Sequence, residues 1–343
     1  MRSPSLIYLL TRVHGLSTHL LNDEDYSSLI KAPDIRYILD YLLHTDYGDY
    51  LSAIPIEQLN IKNMLSSIAQ KYSDRVFYLI QFAGGGARAF LREYARKIEV
   101  ENIKRIIRAK FGNKPISTED IIPIPRGYEE INFSAMVEAP NIDTAIEYVT
   151  VSIYNEAPQY LVTAKELASL MPLEAYIENR YFESVLKATR NVADARDVRD
   201  AIIVEADLKN LYYILGLKYM DVPVEILSSV LSTIKVGYVY GWTEEFSRVK
   251  FEMVLDRIWN SRYSWIRDYI QEAAAKGDLP LIGRGVQKAI HDYFRSIMAR
   301  KPLNFAYVVS YLSLIEAEYK NLETIITSIS IGLPPEEIEK LIL

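Results

Sequence analysis

Asp207-Leu208-Lys209-Asn210-Leu211 is the segment that decides the fold of this chain, because its pattern occurs three times. Each copy has an acid, and an asparagine three residues later. An aliphatic residue follows the asparagine directly, a second aliphatic residue follows three positions after the first, and a proline comes further on. The copies are Glu99, Asn102, Ile103, Ile106 and Pro115; Asp207, Asn210, Leu211, Ile214 and Pro223; and Glu318, Asn321, Leu322, Ile325 and Pro334. The asparagines lie 108 and 111 residues apart. Such a constant period indicates a repeat architecture.

A second pattern has the same period. An aliphatic residue and an acid are followed by a threonine or serine five positions after the acid, and then by a tyrosine two positions later. The tyrosines of this pattern, Tyr47, Tyr154 and Tyr263, lie 107 and 109 residues apart. Together the two patterns predict three tandem repeats of about 110 residues. We place these repeats at residues 1–125, 126–236 and 237–343.

Apolar residues recur at helical spacing in nearly every segment of the chain. In the second repeat an apolar stripe with alternating steps of four and three residues is formed by Val204, Leu208, Leu211 and Leu215. Helices are predicted from Glu57 to Lys71 and from Arg88 to Phe111, and the uncharged run from Pro302 to Ile315 predicts a buried helix. The expected fold class is therefore all-α.

The first repeat departs from the other two along its marker helix, the helix that carries the acid and the asparagine. The positions that are apolar upstream of the acid in the second and third copies are Glu93 and Arg96 in the first. A packed seam excludes charged side chains that have no partner. We therefore expect the amino-terminal half of this helix to differ in the first repeat.

Composition excludes several classes of function. The chain has no cysteine and four histidines, so disulfides, thiol catalysis and cysteine metal sites are excluded. The net charge of -6 argues against general nucleic-acid binding, which needs a dense cationic surface. No stretch reaches the roughly 18 to 20 apolar residues that a membrane-spanning helix requires. We expect neither a nucleic-acid partner nor a spanning helix.

Two interpretations of the repeated acid and asparagine are possible. They share one face of a helix beside the apolar seam, so they could form a ligand or proton site. Alternatively, the asparagine bonds a neighbouring helix or loop and the acid accepts backbone donors, because buried polar groups need partners. Recurrence in all three repeats favours the structural interpretation, since a catalytic site rarely occurs three times in one chain.

An aspartate series offers one candidate metal site. Asp194, Asp197 and Asp200 are spaced by three residues and could bind Mg²⁺ in an all-helical enzyme that acts on an anionic substrate. However, Arg196 and Arg199 alternate with them, and no second aspartate-rich cluster is present. The favoured explanation is that these acids lie at the start of a helix, where negative charge complements the helix dipole.

Other motifs for catalysis are weak. The run from Gly84 to Gly86 lacks the following Lys-Ser or Lys-Thr of a phosphate-binding loop and favours an interhelical hinge. No serine or threonine has the sequence context of a nucleophile. We therefore predict no catalytic residue, no cofactor and no metal ion.

A strongly basic segment extends from Arg88 to Lys114. It contains nine basic residues against three acids in an otherwise acidic protein. Such a segment is either a solvated helix face or a binding surface for a partner. The candidates for partner binding are Arg88, Arg92, Arg96, Lys97, Lys104, Arg105 and Arg108.

Further residues give the chain a family resemblance. They are the segment Thr11 to Leu16, the pair Asp25-Tyr26, the segment Thr45 to Gly48, and the three helices with their asparagines and downstream prolines. In their order and triplication, these features resemble the C subunit of archaeal A-type ATP synthases. That protein is related to the d subunit of vacuolar H⁺-ATPases. The resemblance extends from Leu6 to Leu343.

The resemblance implies a helical funnel of three similar domains about a pseudo-threefold axis. It also implies a non-catalytic rotor subunit that connects the proteolipid ring in the membrane to the central stalk subunits of D and F type. Such a subunit transmits torque between ion translocation and ATP synthesis or hydrolysis. It lies on the cytoplasmic face of the cell membrane and contacts the membrane only through the complex. A Mg²⁺-dependent enzyme, or a helical-repeat scaffold for an unrelated partner, remains the alternative.

Overall fold

The computed structural model describes residues 4–55 and 60–343, and within these ranges every regular element is helical. The prediction of an all-α protein is confirmed. The start of the helix predicted from Glu57 lies outside the described residues. In chain order the described α-helices are α1 (Pro4–Ser17), α2 (Asp23–Ile30), α3 (Ile35–Leu42), α4 (Gly48–Leu51), α5 (Ile61–Phe82), α6 (Gly85–Ala95), α7 (Lys97–Phe111), α8 (Phe133–Glu138), α9 (Ile142–Glu147), α10 (Ala157–Glu166), α11 (Met171–Ala188), α12 (Ala195–Tyr219), α13 (Val224–Leu231), α14 (Thr243–Arg248), α15 (Phe251–Trp259), α16 (Arg267–Lys276), α17 (Leu279–Arg300), α18 (Phe305–Ser330) and α19 (Pro335–Leu341).

The chain forms two compact units, each built from segments that are distant in sequence. The first unit contains Met1–Ile98, Ser117–Tyr128 and Phe294–Leu343, and the second contains Glu99–Ile116 and Glu129–Tyr293. The first unit therefore combines the amino-terminal and carboxyl-terminal parts of the chain. The division into three sequence repeats is a separate proposal.

Helix α18 forms the centre of the first unit. It packs against α5 and α1, and α2 and α3 also contact it. Every residue from Phe305 to Ile315 is buried, as expected for a helix that is apolar on all sides. On the α5 side, the rings of Tyr72 and Tyr319 stack with their centroids 5.0 Å apart. The buried helix predicted from the uncharged run is thus present.

Helices α11 and α12 form the centre of the second unit. They pack against each other, α10 covers α11, and α15 contacts α12. Helix α12 has buried side chains on most of its circumference between Val198 and Leu217. This helix carries the second copy of the acid and asparagine pattern.

The marker helix of the first copy is interrupted. The structure has α6 and α7 where one helix from Arg88 to Phe111 was predicted, with Arg96 between them. The backbone N–H of Arg96 bonds the carbonyl of Glu93, which tightens the last turn of α6. Because Glu93 and Arg96 replace apolar seam residues, a continuous packed helix like α12 or α18 is not maintained here.

Side-chain caps fix where several helices begin. An Asn or Asp side chain accepts a hydrogen bond from the backbone N–H two or three residues later, which satisfies a donor that the helix leaves unpaired. The capping residues are Asn22, Asp34, Asn60, Asn132, Asn141 and Asn304. In residues 4–55 and 60–343, none of the helices is both long and apolar enough to cross a membrane.

The close approach of α17 to α16 gives a stability prediction. A Cβ atom on Gly285 of α17 would collide with the backbone carbonyl of Tyr269 and with Ile270. We expect Gly285→Ala to lower the free energy of unfolding by about 1–3 kcal/mol, because the backbone cannot yield. Denaturant unfolding monitored by circular dichroism measures the change.

Gly15→Ala is the matched control, because Gly15 lies in α1 with open space around its Cβ position. There the gain in helix propensity should raise the free energy of unfolding by up to about 1 kcal/mol. Equal stabilisation by both substitutions would contradict the close approach at Gly285.

Candidate functional site

The three tyrosines of the repeat follow the same local turn. The hydroxyls of Thr45, Ser152 and Ser261 each donate to the carbonyl three residues earlier, at 2.7, 2.7 and 2.8 Å. Each also accepts a hydrogen bond from the backbone N–H of the tyrosine, two residues later. These turns direct Tyr47, Tyr154 and Tyr263 inward, where each is at most 1% exposed.

In the first unit, the buried carboxylate of Glu318 is the acceptor for three donors. The hydroxyl of Tyr47 donates to Oε1 at 2.7 Å, and the backbone N–H of Leu21 donates to Oε2 at 2.7 Å. The guanidinium of Arg75 forms an ion pair with Oε1 at 2.5 Å. Glu318 therefore joins the amino-terminal segment, the tyrosine turn and α5 to α18.

Arg75 extends this network to the surface of the first unit. Its Nη2 bonds Asp46 at 2.7 Å, and Lys71 bonds the same carboxylate oxygen at 2.8 Å. Burial acts to raise the pKa of Asp46, but the hydrogen bonds from Lys71 and Arg75 outweigh it and hold this pKa below its ordinary value. The Asp46 carboxylate therefore stays ionised at neutral pH.

A polar cavity of about 660 Å³ opens beside this network and is lined in part by Asp25, Asp46, Asp49, His19 and His44. Across the described part of the chain, however, no group of three or more acidic or histidine side chains is arranged to hold a metal ion. That result includes the aspartate series proposed from sequence for Mg²⁺. The first of these aspartates, Asp194, takes a left-handed conformation as the residue that precedes α12.

Asp207 has the corresponding role in the second unit. Its carboxylate accepts hydrogen bonds from the backbone N–H groups of Tyr238 and Val239, at 2.8 and 3.2 Å, and from the hydroxyl of Tyr263. Gly237 has a φ of 85°, and a side chain there would collide with this carboxylate. Burial raises the pKa of Asp207 to about 6, although the three hydrogen bonds act to lower it.

These acids bond tyrosines that belong to different repeats. Glu318 of the third copy bonds Tyr47 of the first, and Asp207 of the second copy bonds Tyr263 of the third. The remaining pair, Glu99 and Tyr154, is also buried, at 2% and 0% exposure, and both residues belong to the second unit. The sequence period alone did not indicate this exchange between repeats.

The asparagines of the repeat bond a neighbouring helix or a chain terminus. Asn210 and Asn179 exchange two amide hydrogen bonds, at 2.9 and 3.0 Å, between α12 and α11. Asn321 accepts from the backbone N–H of Leu343 at 2.7 Å and so fixes the end of the chain. Asn102 of the first copy is fully buried.

Part of the basic segment lies inside the second unit. Lys104 is buried and bonds Glu178 at 2.5 Å, and Lys209 bonds the same oxygen at 3.2 Å. Burial acts to raise the pKa of Glu178, but the charges of Lys104 and Lys209 hold it far below its ordinary value. Arg108, which is half exposed, bonds Glu174 at 2.6 Å.

The other basic candidates differ in their exposure. Lys97 forms an ion pair with Glu316 at 2.6 Å, and Arg105 forms one with Glu101 at 3.3 Å on α7. Arg96 is 9% exposed. Two residues one turn apart on α6 face solvent, and these are Arg88 and Arg92. Of the seven candidates, these two are the best placed to meet a partner.

None of the sequence motifs includes Arg75, Glu174 or Glu178. The sequence nevertheless indicates that Arg75 is unusual, because it occupies the next position in the apolar stripe formed by Ile68 and Tyr72 on α5. A charged residue at a seam position is expected to have a buried partner. Finding that partner requires the tertiary structure, because Glu318 is 243 residues away in sequence.

Residues 9–341 match the model of the ATP synthase (C/AC39) subunit family. The chain is 22% identical to the C subunit of the A-type ATP synthase of Methanocaldococcus jannaschii, over 98% of this chain and 86% of that protein. It is 24% identical to the corresponding protein of Pyrococcus horikoshii, which has the same name, over 98% of this chain and 89% of that protein. It is also 23% identical to the protein of the same name from Haloferax volcanii, over 97% of this chain and 95% of that protein.

The raised pKa of Asp207 gives a prediction for the pH dependence of stability. Between about pH 4 and pH 6 the folded state holds the Asp207 proton more tightly than the unfolded state, so the contribution of this residue to stability falls as the pH rises. Relative to Asp207→Asn, we expect the wild type to lose roughly 2–3 kcal/mol of unfolding free energy between about pH 4 and pH 7. Urea unfolding of both proteins at each pH measures this difference.

Asp200→Asn, at an exposed position on the same helix, is the control for introducing an amide into α12. If the difference between wild type and Asp207→Asn stayed constant across this pH range, the assignment of the shift to Asp207 would be wrong.

The buried ion pairs of Lys104 give a second prediction for this site. Lys104→Met leaves the buried carboxylate of Glu178 without its closest cation, so we expect a loss of roughly 3–5 kcal/mol in the free energy of unfolding. Lys187→Met is the matched control, because Lys187 is exposed and pairs with Glu183 one turn away on α11. The control should change stability by less than about 0.5 kcal/mol. Similar small losses for both variants would contradict a structural role for Lys104.

Proposed function

The chain belongs to the ATP synthase (C/AC39) subunit family, and we propose that it is a non-catalytic rotor subunit of an A/V-type rotary ATPase. In this proposal it connects the central stalk, with subunits of D and F type, to the proteolipid ring. It transmits torque between ion translocation and ATP synthesis or hydrolysis. It lies peripherally on the cytoplasmic face of the membrane and contacts the bilayer only through the complex.

The main observation in support of this proposal is that acids of one repeat bond tyrosines of another repeat. The second copy bonds the third, and the third bonds the first. A complete cycle would have three such bonds, and two of them are observed. These two bonds support a pseudo-threefold funnel built from repeats 1–125, 126–236 and 237–343, because a cyclic series of contacts is what such a funnel predicts.

The buried networks suit an element that must transmit force. The Glu318 carboxylate holds donors from three segments and the Asp207 carboxylate holds donors from two, so displacing one segment would remove donors from a buried acid. Breaking such an arrangement costs several kcal/mol. The repeated positions therefore act as braces in this proposal, which agrees with the structural interpretation of the acid and asparagine pattern.

The same positions support a non-catalytic role. The carboxylates of Glu318, Asp207 and Glu178 are buried and are already acceptors for internal donors. A general acid or base needs access to the proton that it transfers. Buried carboxylates that are occupied in this way are poorly placed to serve a substrate, and we prefer the rotor role over a Mg²⁺-dependent enzyme.

The exposed face of α6 is the partner-binding surface in this proposal. Arg88 is fixed by a hydrogen bond from its Nε to the carbonyl of Ala83, and Arg92 lies 4.9 Å from the ring centre of Tyr128. Both cations are therefore held in place before any partner binds. Preorganised charges of this kind increase the rate and specificity of association.

We expect the wild-type chain, expressed with its native complex, to copurify with both the proteolipid ring and the central stalk. Arg88→Glu combined with Arg92→Glu should weaken this association at least tenfold, because two fixed attractive charges become repulsive. Surface plasmon resonance against the purified stalk and ring subcomplexes measures the affinity, and circular dichroism confirms that helicity is retained.

Arg248→Glu combined with Lys276→Glu is the control for charge reversal, since both residues are exposed and pair only within their own helices. Equal affinity of the wild type and the α6 variant would show that this face is only solvated. Stable binding of the wild type to neither the ring nor the stalk would overturn the rotor role, and an unrelated partner would then favour the scaffold alternative.

A further inference from the structure

Arg284 on α17 is half-buried, and two of its three guanidinium nitrogens are shielded and without a partner. Its Nε and Nη2 atoms are removed from solvent, and neither has a hydrogen-bond acceptor among the described residues. Burial lowers the pKa of Arg284 to about 10, which still leaves the side chain charged at neutral pH. Buried ionised groups are normally paired, so an arginine in this state calls for an explanation.

The backbone on both sides of Arg284 is held against neighbouring helices of the second unit. A Cβ on Gly283 would lie 2.9 Å from the ring of Tyr212 on α12, and one on Gly285 would collide with the carbonyl of Tyr269 on α16. The two glycines thus permit a close three-helix contact at this point. These contacts fix the backbone of α17 at Arg284.

Desolvation without a partner makes Arg284 unfavourable in the isolated subunit. Elsewhere in the same unit, the shielded cation Lys104 has the carboxylate of Glu178 at 2.5 Å. Removing a charge from water without such compensation is costly, and an acceptor added later gains a correspondingly strong interaction. The energetic situation therefore favours binding of an anionic group at Arg284.

The surface next to Arg284 indicates what kind of group would bind. Leu281, one turn earlier on α17, is 44% exposed, and Lys288, one turn later, is also exposed. Residues at this spacing lie on one face of a helix. The face therefore combines an apolar contact, a shielded guanidinium and a second cation.

We propose that Arg284 is the binding site for a carboxylate, supplied by an Asp or Glu side chain of a neighbouring subunit of the complex. A guanidinium is a planar donor group that matches the two oxygens of a carboxylate, and the exposed part of this half-buried side chain gives a partner access to it. Leu281 contacts an apolar residue beside that acid, and Lys288 adds a longer-range attraction. The inference rests on the proposed function, because it requires a protein complex in which this face is covered.

An anionic membrane surface fits this face less well than a protein does. Binding to anionic lipid depends on clusters of four to eight basic residues. Here Arg284 and Lys288 stand beside an exposed leucine, and the next basic residue of α17, Arg295, lies about two turns further on. One carboxylate whose geometry matches the guanidinium is therefore the better candidate for the bound group.

The first experiment compares Arg284→Met with the wild type in two measurements. In the free subunit, the midpoint of thermal unfolding should stay the same or rise, because an uncompensated charge is removed. In the binding assay with the stalk and ring subcomplexes, affinity should fall at least tenfold for one of them. Arg248→Met, at an exposed position, is the matched control and should leave both quantities unchanged.

The second experiment identifies the acid. Arg284→Lys places a primary amine at this position, and a carbodiimide then activates nearby carboxylates in the assembled complex. The introduced amine attacks the activated carboxyl carbon, an amide bond forms, and the urea leaves. Mass spectrometry should find position 284 joined to an Asp or Glu of a neighbouring subunit, whereas the wild-type arginine should form no such bond.

The outcomes separate this inference from the proposed function. Equal binding of the wild type and Arg284→Met overturns the inference alone. A lower unfolding midpoint for Arg284→Met in the free subunit also overturns it, because the arginine would then be a structural group. Loss of binding to phosphatidylserine vesicles with unchanged subunit binding would replace the carboxylate with a lipid. A wild type that binds neither subcomplex overturns both proposals.

Discussion

A buried carboxylate needs donors around it, and this requirement explains much of the architecture. Glu318 and Asp207 stand on helices that are buried over most of their surface, where an ionised group without hydrogen bonds would be strongly destabilising. Each acid is surrounded by a tyrosine hydroxyl and backbone N–H groups from other segments. The acids therefore determine which distant segments must meet.

The same requirement joins the two ends of the chain. Glu318, near the carboxyl terminus, bonds Leu21 and Tyr47, near the amino terminus. The first compact unit therefore contains residues from both ends of the sequence. Because Glu318 and Asp207 each bond a tyrosine from another repeat, neither of their repeats could satisfy its buried acid in this way if it folded alone. The repeats are interlocked in this way.

The cationic side chains of the protein fall into a buried group and an exposed group. Lys104 and Arg75 neutralise buried acids and so contribute to folding, whereas Arg88 and Arg92 face solvent and are available for association. Arg284 belongs to neither group, because it is half-buried and its shielded Nε and Nη2 atoms have no acceptor in the described part of the chain. The carboxylate of a neighbouring subunit, as proposed above, would supply that acceptor.

The sequence by itself determined the fold class, the number of repeats expected and the family resemblance, because periodicity and spacing are local properties of the chain. It also located the repeated tyrosines, and the structure then showed that a hydroxyl turn formed by neighbouring residues precedes Tyr47, Tyr154 and Tyr263. Only the tertiary structure decided which acid bonds which tyrosine, and only the tertiary structure showed that Lys104 is internal while Arg88 is exposed. Those outcomes depend on contacts between residues as far apart as Tyr47 and Glu318, about which helical periodicity carries no information.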